Sequence, residues 1–262
     1  MSGPVMTPWM QARVAGRLLL LQARWDTSRM QGTGFAYALD PWLSVCWAAE
    51  PQALADARRR HLEYFNTHPI AAWLAAGIVC RQEAAAAALT GPARDAAIAR
   101  VRSLKTGLGA SLAGLYDSFF WGALRPASAL AGVLAAQAAY HLGSPYAPAW
   151  AAGAALAAYN VPAFAARAYG LRRGLRVGER AVLELTALPV QSWIIGLRRA
   201  AVGGALASFG IGAGLLGVGD RLTAALTFAA GLVLTWRGVS PLAQLGFAGL
   251  GGMAAGLTGL RP

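Results

Sequence analysis

The sequence predicts an all-α membrane protein, and three features of its composition indicate this fold class. Of the 262 residues, 56% are hydrophobic and only 13% are charged, and the mean hydropathy is +0.45. Soluble domains carry about 25% charged residues, so half that share favours an integral membrane protein. The 32 glycines suit helices that pack closely within a membrane. We therefore expect an all-α polytopic membrane protein with interfacial amphipathic helices, re-entrant hairpins and several transmembrane helices.

The net charge of +12 comes almost entirely from arginine. A basic chain can bind nucleic acid, but here the arginines lie between apolar segments, where membrane proteins keep their cytoplasmic charge. We therefore expect contact with membrane lipid and no nucleic-acid partner. Cys46 and Cys80 form no metal motif and have no ligand spacing with the three histidines. We accordingly expect neither a metal nor another cofactor.

Two amphipathic helices are predicted near the amino terminus. In residues 9–25 the arginines fall on one stripe at helical spacing, which is typical of a helix that lies in the membrane interface. Pro51 favours the start of a second helix over 51–65. Because Pro69 disfavours helix at the residue before it, that helix should end within Asn66–His68. We call these three polar residues the knuckle.

The next two apolar segments are too short or too rich in glycine for a simple transmembrane helix. Residues 69–80 carry no charge, but a membrane span needs about 20 residues. This segment is either a buried core helix or a short apolar dip into the membrane, and we predict the dip. Residues 106–126 carry one carboxylate, Asp117, near their middle. An acidic residue there is costly and marks a candidate site, so we predict a re-entrant hairpin that lines a cavity.

The rest of the chain divides into apolar segments around one basic stretch. Residues 127–142 and 149–166 are predicted to form a helical hairpin, and the arginine-rich stretch 167–180 is predicted to be a cytoplasmic loop. Further apolar segments follow, separated by charged residues: 181–197, 200–218, 222–236 and 239–260. Three regions result: 1–105 with the interfacial helices and the dip, 106–166 with the two hairpins, and 167–262 with the basic loop and the C-terminal membrane helices.

Four blocks of sequence, taken together, resemble one bacterial family. They are "RMQGTGF" at 29–35, "RRHLEYFNTHP" at 59–69, "FFWGALRP" at 119–126 and "AYGLRRG" at 168–174. Their order and spacing resemble the IID subunit of the mannose/fructose/sorbose-type bacterial sugar phosphotransferase system. The similarity extends from the region of Arg17 to the C-terminus.

The resemblance implies a multi-pass protein of the bacterial inner membrane that translocates a hexose-like sugar together with a IIC subunit. It implies that soluble IIA and IIB proteins relay phosphate to the arriving sugar. It also implies that the IID subunit carries no phosphohistidine and is not an enzyme on its own. The subunits of such a complex form hetero-oligomers.

The sequence departs from the family pattern at two places. The family commonly reads Gly-Val-Gly-Asp-Pro before the Phe-Trp-Gly block, whereas this chain reads Gly114-Leu115-Tyr116-Asp117-Ser118. The carboxylate is kept, but a glycine and a proline are lost. The region 205–222 is also shorter than is usual. Both departures bear on which sugar is bound.

Sugar recognition guides the choice of candidate site residues. Sugar hydroxyl groups need paired donors and acceptors, which the side-chain amides of Gln31 and Asn66 supply. Thr67 adds a hydroxyl beside Asn66, Asp117 adds a carboxylate, and Trp121 offers a flat apolar face. We therefore predict substrate contacts at these five residues and no catalytic residue.

Several alternatives remain beside this hypothesis. Asn66 is also a suitable helix-ending residue. Asp117 has two alternatives to a sugar contact, an ion pair with Arg125 and a cap on the predicted hairpin turn. The whole chain is alternatively a non-transporting scaffold or regulatory paralogue, or a membrane enzyme that uses His61, Glu63 and His68, since histidine is a ready nucleophile.

Overall fold

The fold is helical throughout the part of the chain that the computed structural model describes, residues 3–214 and residue 229. No β-strand occurs within these residues, so the all-α prediction is confirmed there. The helices are α1 (Pro8–Leu18), α2 (Gly32–Cys46), α3 (Pro51–Leu62), α4 (Ala71–Ala87), α5 (Gly91–Tyr116), a π-helical segment (Asp117–Leu124), α6 (Arg125–His141), α7 (Ala147–Val177), α8 (Arg180–Thr186) and α9 (Val190–Gly214).

The first predicted amphipathic helix is present but shorter than expected. α1 ends at Leu18, and the chain continues in turns towards Arg24. Its inner face buries apolar side chains that pack on α2. In α2, a side chain at Gly34 would overlap the backbone carbonyl of Leu21, so this glycine permits a close approach. The position of α1 in a membrane interface stays a prediction.

α4 is the central helix of the fold. Every residue from Ala71 to Cys80 is buried, and the helix packs against α2, α5 and α7. The segment predicted to dip into the membrane is therefore the first half of a buried core helix, the alternative that the sequence left open. A helix covered by protein on all sides is apolar all round, like a membrane segment. The alanine-rich end, 84–87, prolongs the helix because alanine is the best helix former.

α4 and α7 approach each other through glycines. A side chain at Gly77 would overlap the backbone carbonyl of Leu171, and a Cβ at Gly174 would lie 2.7 Å from the carbonyl oxygen of Leu74. α7 consequently continues to Val177, so most of the basic stretch 167–180 is helix, not the predicted loop. Arginine, leucine and alanine favour helix, and Gly170 and Gly174 of this stretch pack closely against α4.

The segment predicted as a re-entrant hairpin is instead part of one long helical path. The backbone is helical for 51 residues from Gly91 to His141, and within the described residues this is the one stretch long and apolar enough to cross a membrane. No turn interrupts 106–126. The glycine and proline of the family's turn are absent here, so nothing breaks the helix at Tyr116 or Ser118. Between α5 and α6 the helix continues as the π-helical segment, in which each turn is wider than in an α-helix.

α6 and α7, which the sequence predicted as a helical hairpin, pack extensively against each other. A Cβ at Gly132 on α6 would lie 2.7 Å from the carbonyl oxygen of Ala151 on α7. Pro189 separates α8 from α9, and α9 runs through Arg198 and Arg199, where the sequence predicted a boundary. Proline ends helices more strongly than an arginine pair does. Apart from residue 229, the predicted apolar segments 222–236 and 239–260 lie outside the described residues.

Candidate functional site

The knuckle leaves α3 as an extended segment that is held by residues 29–31. The backbone N–H of Phe65 donates to the carbonyl of Arg29 at 3.2 Å, and that of Gln31 donates to the carbonyl of Phe65 at 2.8 Å. Met30 and Phe65 thus form an isolated parallel bridge. Met30 has a φ of 52°, in the left-handed region that residues other than glycine rarely adopt. The two segments that resemble the family's first blocks therefore meet in space.

Gln31 fixes the backbone of the knuckle through its side-chain amide. Its Nε2 donates to the carbonyl of Thr67 at 2.7 Å, and its Oε1 accepts from the N–H of Thr67 at 3.2 Å. Both residues are buried. A primary amide that pairs with a peptide group in this way satisfies both of its backbone partners. A direct contact of Gln31 or Thr67 with sugar stays a prediction, although the buried hydroxyl of Thr67 has no partner among the described residues.

Asn66 is exposed and lines a cavity of about 240 Å³ between the knuckle and α5. The aromatic side chain of Tyr64 and the hydroxyl-bearing Thr106 lie on the same cavity. Lys105 forms part of its wall, but its side chain is turned towards the backbone at the end of α3. Asn66 is thus placed at an accessible cavity with an aromatic ring and a hydroxyl group nearby.

His68 and Trp121 lie on a second side of the knuckle. Their ring centroids are 4.9 Å apart, and the ring of Phe120 is 5.4 Å from that of His68. The Nδ1 atom of His68 accepts from the N–H of Ile70 at 3.1 Å, which places the proton of the neutral ring on Nε2. That buried Nε2 has no partner among the described residues. Burial, helped by Arg167, lowers the pKa of His68 to about 4.

Asp117 belongs to the π-helical segment, four residues before Trp121. Its Oδ1 atom is buried and has no hydrogen-bond partner within the described part of the chain. The structure there shows no ion pair between Asp117 and Arg125, and no hairpin turn exists for Asp117 to cap. Both alternatives to a sugar contact therefore lack support. A carboxylate oxygen left free in an apolar segment is costly unless another molecule pairs with it.

A buried ionic cluster around Glu83 lies at the last turn of α3, before the knuckle. Glu83 of α4 accepts two hydrogen bonds from Arg60, both at 2.7 Å, one from Nε2 of His61 at 2.8 Å and one from Nε1 of Trp47 at 2.9 Å. Burial acts to raise the pKa of Glu83, but the bonds from Arg60 and His61 outweigh it and hold the pKa at about 2. Burial also lowers the pKa of His61. The cluster thus joins the end of α2, the last turn of α3 and α4, next to the segment that leads to the knuckle.

The arrangement suits the binding of a neutral, hydroxyl-bearing molecule. Amide, hydroxyl and imidazole groups lie close to aromatic rings, a combination that orients ligands in apolar pockets. The enzyme alternative finds no support, since His61 bonds to Glu83, Glu63 is exposed, and His68 bonds to backbone.

Sequence reasoning missed two supporting residues. Glu83 was hidden inside an apolar helix, and Lys105 is the sole lysine of an arginine-rich chain. The presence of a single lysine was the one signal in the sequence that could have indicated a special role for Lys105. The partners of Glu83 and Lys105 are distant in sequence, so local patterns do not indicate them.

The sequence matches one family of known proteins over most of its length. The sequence model of the PTS system mannose/fructose/sorbose family IID component matches residues 6–202. The mannose-specific EIID component of Escherichia coli K12 is 35% identical over 113 residues, which cover 43% of this chain and 38% of that protein. The sorbose-specific EIID component of Klebsiella pneumoniae is 30% identical over 166 residues, covering 63% and 56%. The match thus spans well under two thirds of each relative's length.

Solved structures share the fold across nearly the whole chain. A chain of the mannose transporter ManYZ in complex with microcin E492 superposes with a TM-score of 0.56 at 24% identity, covering 98% of both chains. Another chain, described as a membrane protein, superposes with a TM-score of 0.69 at 23% identity, covering 97% of both chains. At this level of identity the likeness shows a shared fold.

Proposed function

The chain belongs to the mannose/fructose/sorbose family of phosphotransferase-system IID components, and on that premise we propose that it works as the IID subunit of a sugar permease. In this proposal it translocates a hexose-like sugar together with a IIC subunit in the bacterial inner membrane. Soluble IIA and IIB proteins phosphorylate the sugar as it arrives. The chain spans the membrane more than once, forms a hetero-oligomer with its partners and has no catalytic activity of its own.

The observation that carries the proposal is the presentation of Asn66. Gln31 holds the knuckle backbone at Thr67, and the carbonyl of Asn66 lies close to Gly109 of α5, so that Asn66 lines a cavity of about 240 Å³. A carboxamide can donate to one hydroxyl of a sugar and accept from its neighbour. Tyr64 and Thr106 on the same cavity add an aromatic ring and a further hydroxyl.

The second side of the knuckle supports the same function. The free polar atoms of Thr67, His68 and Asp117 are buried, and the ring of Trp121 lies against His68. Free buried polar atoms are expensive in a folded chain unless a ligand or partner satisfies them. We propose that the sugar, or the IIC subunit that shares it, supplies these missing hydrogen bonds.

The experiment is reconstitution of transport. The chain is produced with its IIC, IIA and IIB partners in a bacterium that lacks its own mannose-type system, and uptake of radiolabelled mannose, fructose and sorbose is measured. We expect uptake that needs both membrane subunits. An intact IIC–IID complex that takes up none of the three sugars, while the Escherichia coli mannose system does so in the same strain, would instead support the scaffold alternative.

A further inference from the structure

Lys105 is buried beside the cavity that Asn66 lines, and its three hydrogen bonds all go to one short stretch of backbone. Its Nζ atom donates to the carbonyl of Arg60 at 2.8 Å, of His61 at 3.3 Å and of Glu63 at 2.9 Å. An ammonium group has three donors, so these bonds use all of them. Lys105 therefore has no donor left for a ligand, although it lies at the wall of the cavity.

The three carbonyls lie in the last turn of α3 and at the residue that follows it. The last carbonyls of a helix have no partner within the helix, and a cation near them is favourable. α3 ends at Leu62, three residues before Phe65 and four before Asn66. Lys105 therefore satisfies the end of the helix and fixes the point from which the knuckle departs.

The same face of α5 receives the knuckle one turn further on. Gly109 lies four residues after Lys105, and a Cβ at this position would be 2.9 Å from the carbonyl oxygen of Asn66. Residues four apart share one face of a helix. Lys105 and Gly109 thus form a seat on α5 for the backbone that runs from Arg60 to Asn66.

We propose that Lys105 is a positioning residue for sugar binding, which sets the place of the Asn66 amide by binding the backbone before it. This inference rests on the proposed function, because it takes Asn66 as the residue that meets the sugar. Lys105 itself does not touch the sugar. Removing its charge should weaken binding only through the displacement of Asn66.

A double-mutant cycle separates this role from a general structural one. The dissociation constant for mannose, with fructose and sorbose as parallel probes, is measured on the purified IIC–IID complex for Lys105→Met, Asn66→Ala and the double variant. We expect Lys105→Met to weaken binding about tenfold in the wild-type background, the size of one lost hydrogen bond. In the Asn66→Ala background it should change affinity less than about twofold, because the amide that it positions is gone. Lys105→Arg, which keeps the charge, should restore most of the affinity.

A second pair of variants covers the case in which Lys105→Met does not fold. Gly109→Ala pushes on the carbonyl of Asn66, whereas a Cβ at Gly107, two residues away on the same helix, meets nothing within 4 Å. Gly109→Ala should weaken sugar binding and lose this effect when Asn66 is already alanine. Gly107→Ala should bind as the wild type does.

The outcomes that oppose the inference are distinct from those that oppose the proposed function. Suppose that Lys105→Met, or Gly109→Ala in its place, weakens binding by the same factor whether residue 66 is asparagine or alanine. The role is then a general structural one, and the inference is overturned. If Asn66→Ala alone leaves the dissociation constant unchanged, the sugar contact is wrong, and the positioning role is overturned with it.

Discussion

Gln31 and Thr67 exchange two hydrogen bonds, at 2.7 Å and 3.2 Å, although they are 36 residues apart in sequence. This pairing fixes the backbone of the knuckle at Thr67. It also explains why a glutamine lies in the first block that resembles the IID family. The amide holds the knuckle itself at Thr67, whereas Lys105 on α5 binds the backbone that leads to the knuckle.

Replacing Gln31 by leucine should destabilise the complex. Leucine keeps most of the volume but leaves the buried N–H and C=O of Thr67 without partners, which costs about 1–3 kcal/mol for each group. The midpoint of thermal unfolding of the purified complex measures this effect. Gln52→Leu on the exposed side of α3 is the matched control and should change the midpoint little. Equal shifts for the two variants would contradict a supporting role for Gln31.

Replacing Glu83 by glutamine should destabilise the chain far more than a comparable change at the surface. The variant leaves the buried guanidinium of Arg60 without its charge partner, and a broken buried ion pair costs about 3–5 kcal/mol. Glu50→Gln, which breaks the exposed pair with Arg94, is the control. Unfolding in denaturant compares the two. A loss at Glu83 no larger than the loss at Glu50 would show that the cluster does not hold α3 against α4.

Stability should fall as the pH drops from 7.5 to 5, and His68 should account for much of the fall. Burial lowers the pKa of His68 to about 4, so the unfolded chain takes up a proton below its ordinary pKa of 6.5 while the folded chain does not. Each such histidine removes up to about 1.4 kcal/mol per pH unit in this window. Burial lowers the pKa of His61 as well, so its effect has the same sign. Glu83, with a pKa of about 2, stays ionised throughout.

The measurement is the unfolding midpoint against pH for the wild type and for His68→Gln. The variant keeps a hydrogen-bonding side chain but cannot titrate, so its pH dependence between 7.5 and 5 should be markedly shallower. Identical slopes would mean that His68 is accessible to protons in the folded state.

Replacing Asp117 by asparagine should strongly reduce sugar uptake and leave the complex assembled. The change keeps the shape of the side chain but removes the negative charge, whose buried Oδ1 has no partner among the described residues. Uptake assays and size-exclusion chromatography report the two properties separately. Wild-type uptake in this variant would leave Asp117 with a structural role only.

The sequence predicted those features that depend on local chemistry. Pro51 indicated where α3 would begin, because proline is favoured in the first turn of a helix. Pro69 indicated an end within Asn66–His68, but α3 ends earlier, at Leu62. The sequence was less able to show which apolar segments are buried core helices and which are membrane segments. Residues 71–80 are apolar because protein covers them on every side, and a pattern of this kind is shared with membrane segments. Their tertiary neighbours decide between the two.

The remaining features depend on contacts between distant parts of the chain. Glycines in 106–126 indicated a hairpin, yet Gly109 receives the carbonyl of Asn66 and the helix continues past it. The bonds of Lys105 to α3 join residues more than 40 positions apart. The roles of these two residues follow from where the knuckle docks, which local sequence patterns do not specify.

The most direct test of the account is the affinity of the IIC–IID complex for sugar when Asn66 is replaced by alanine. Loss of a hydrogen bond to a buried partner costs about 1–3 kcal/mol, so the dissociation constant should rise about ten- to a hundredfold. The complex should stay intact by size-exclusion chromatography, Thr67→Ala should weaken binding less, and Gln52→Ala on the exposed side of α3 should bind normally. If Asn66→Ala leaves the affinity unchanged and breaks assembly, the knuckle is a helix stop and not a sugar contact.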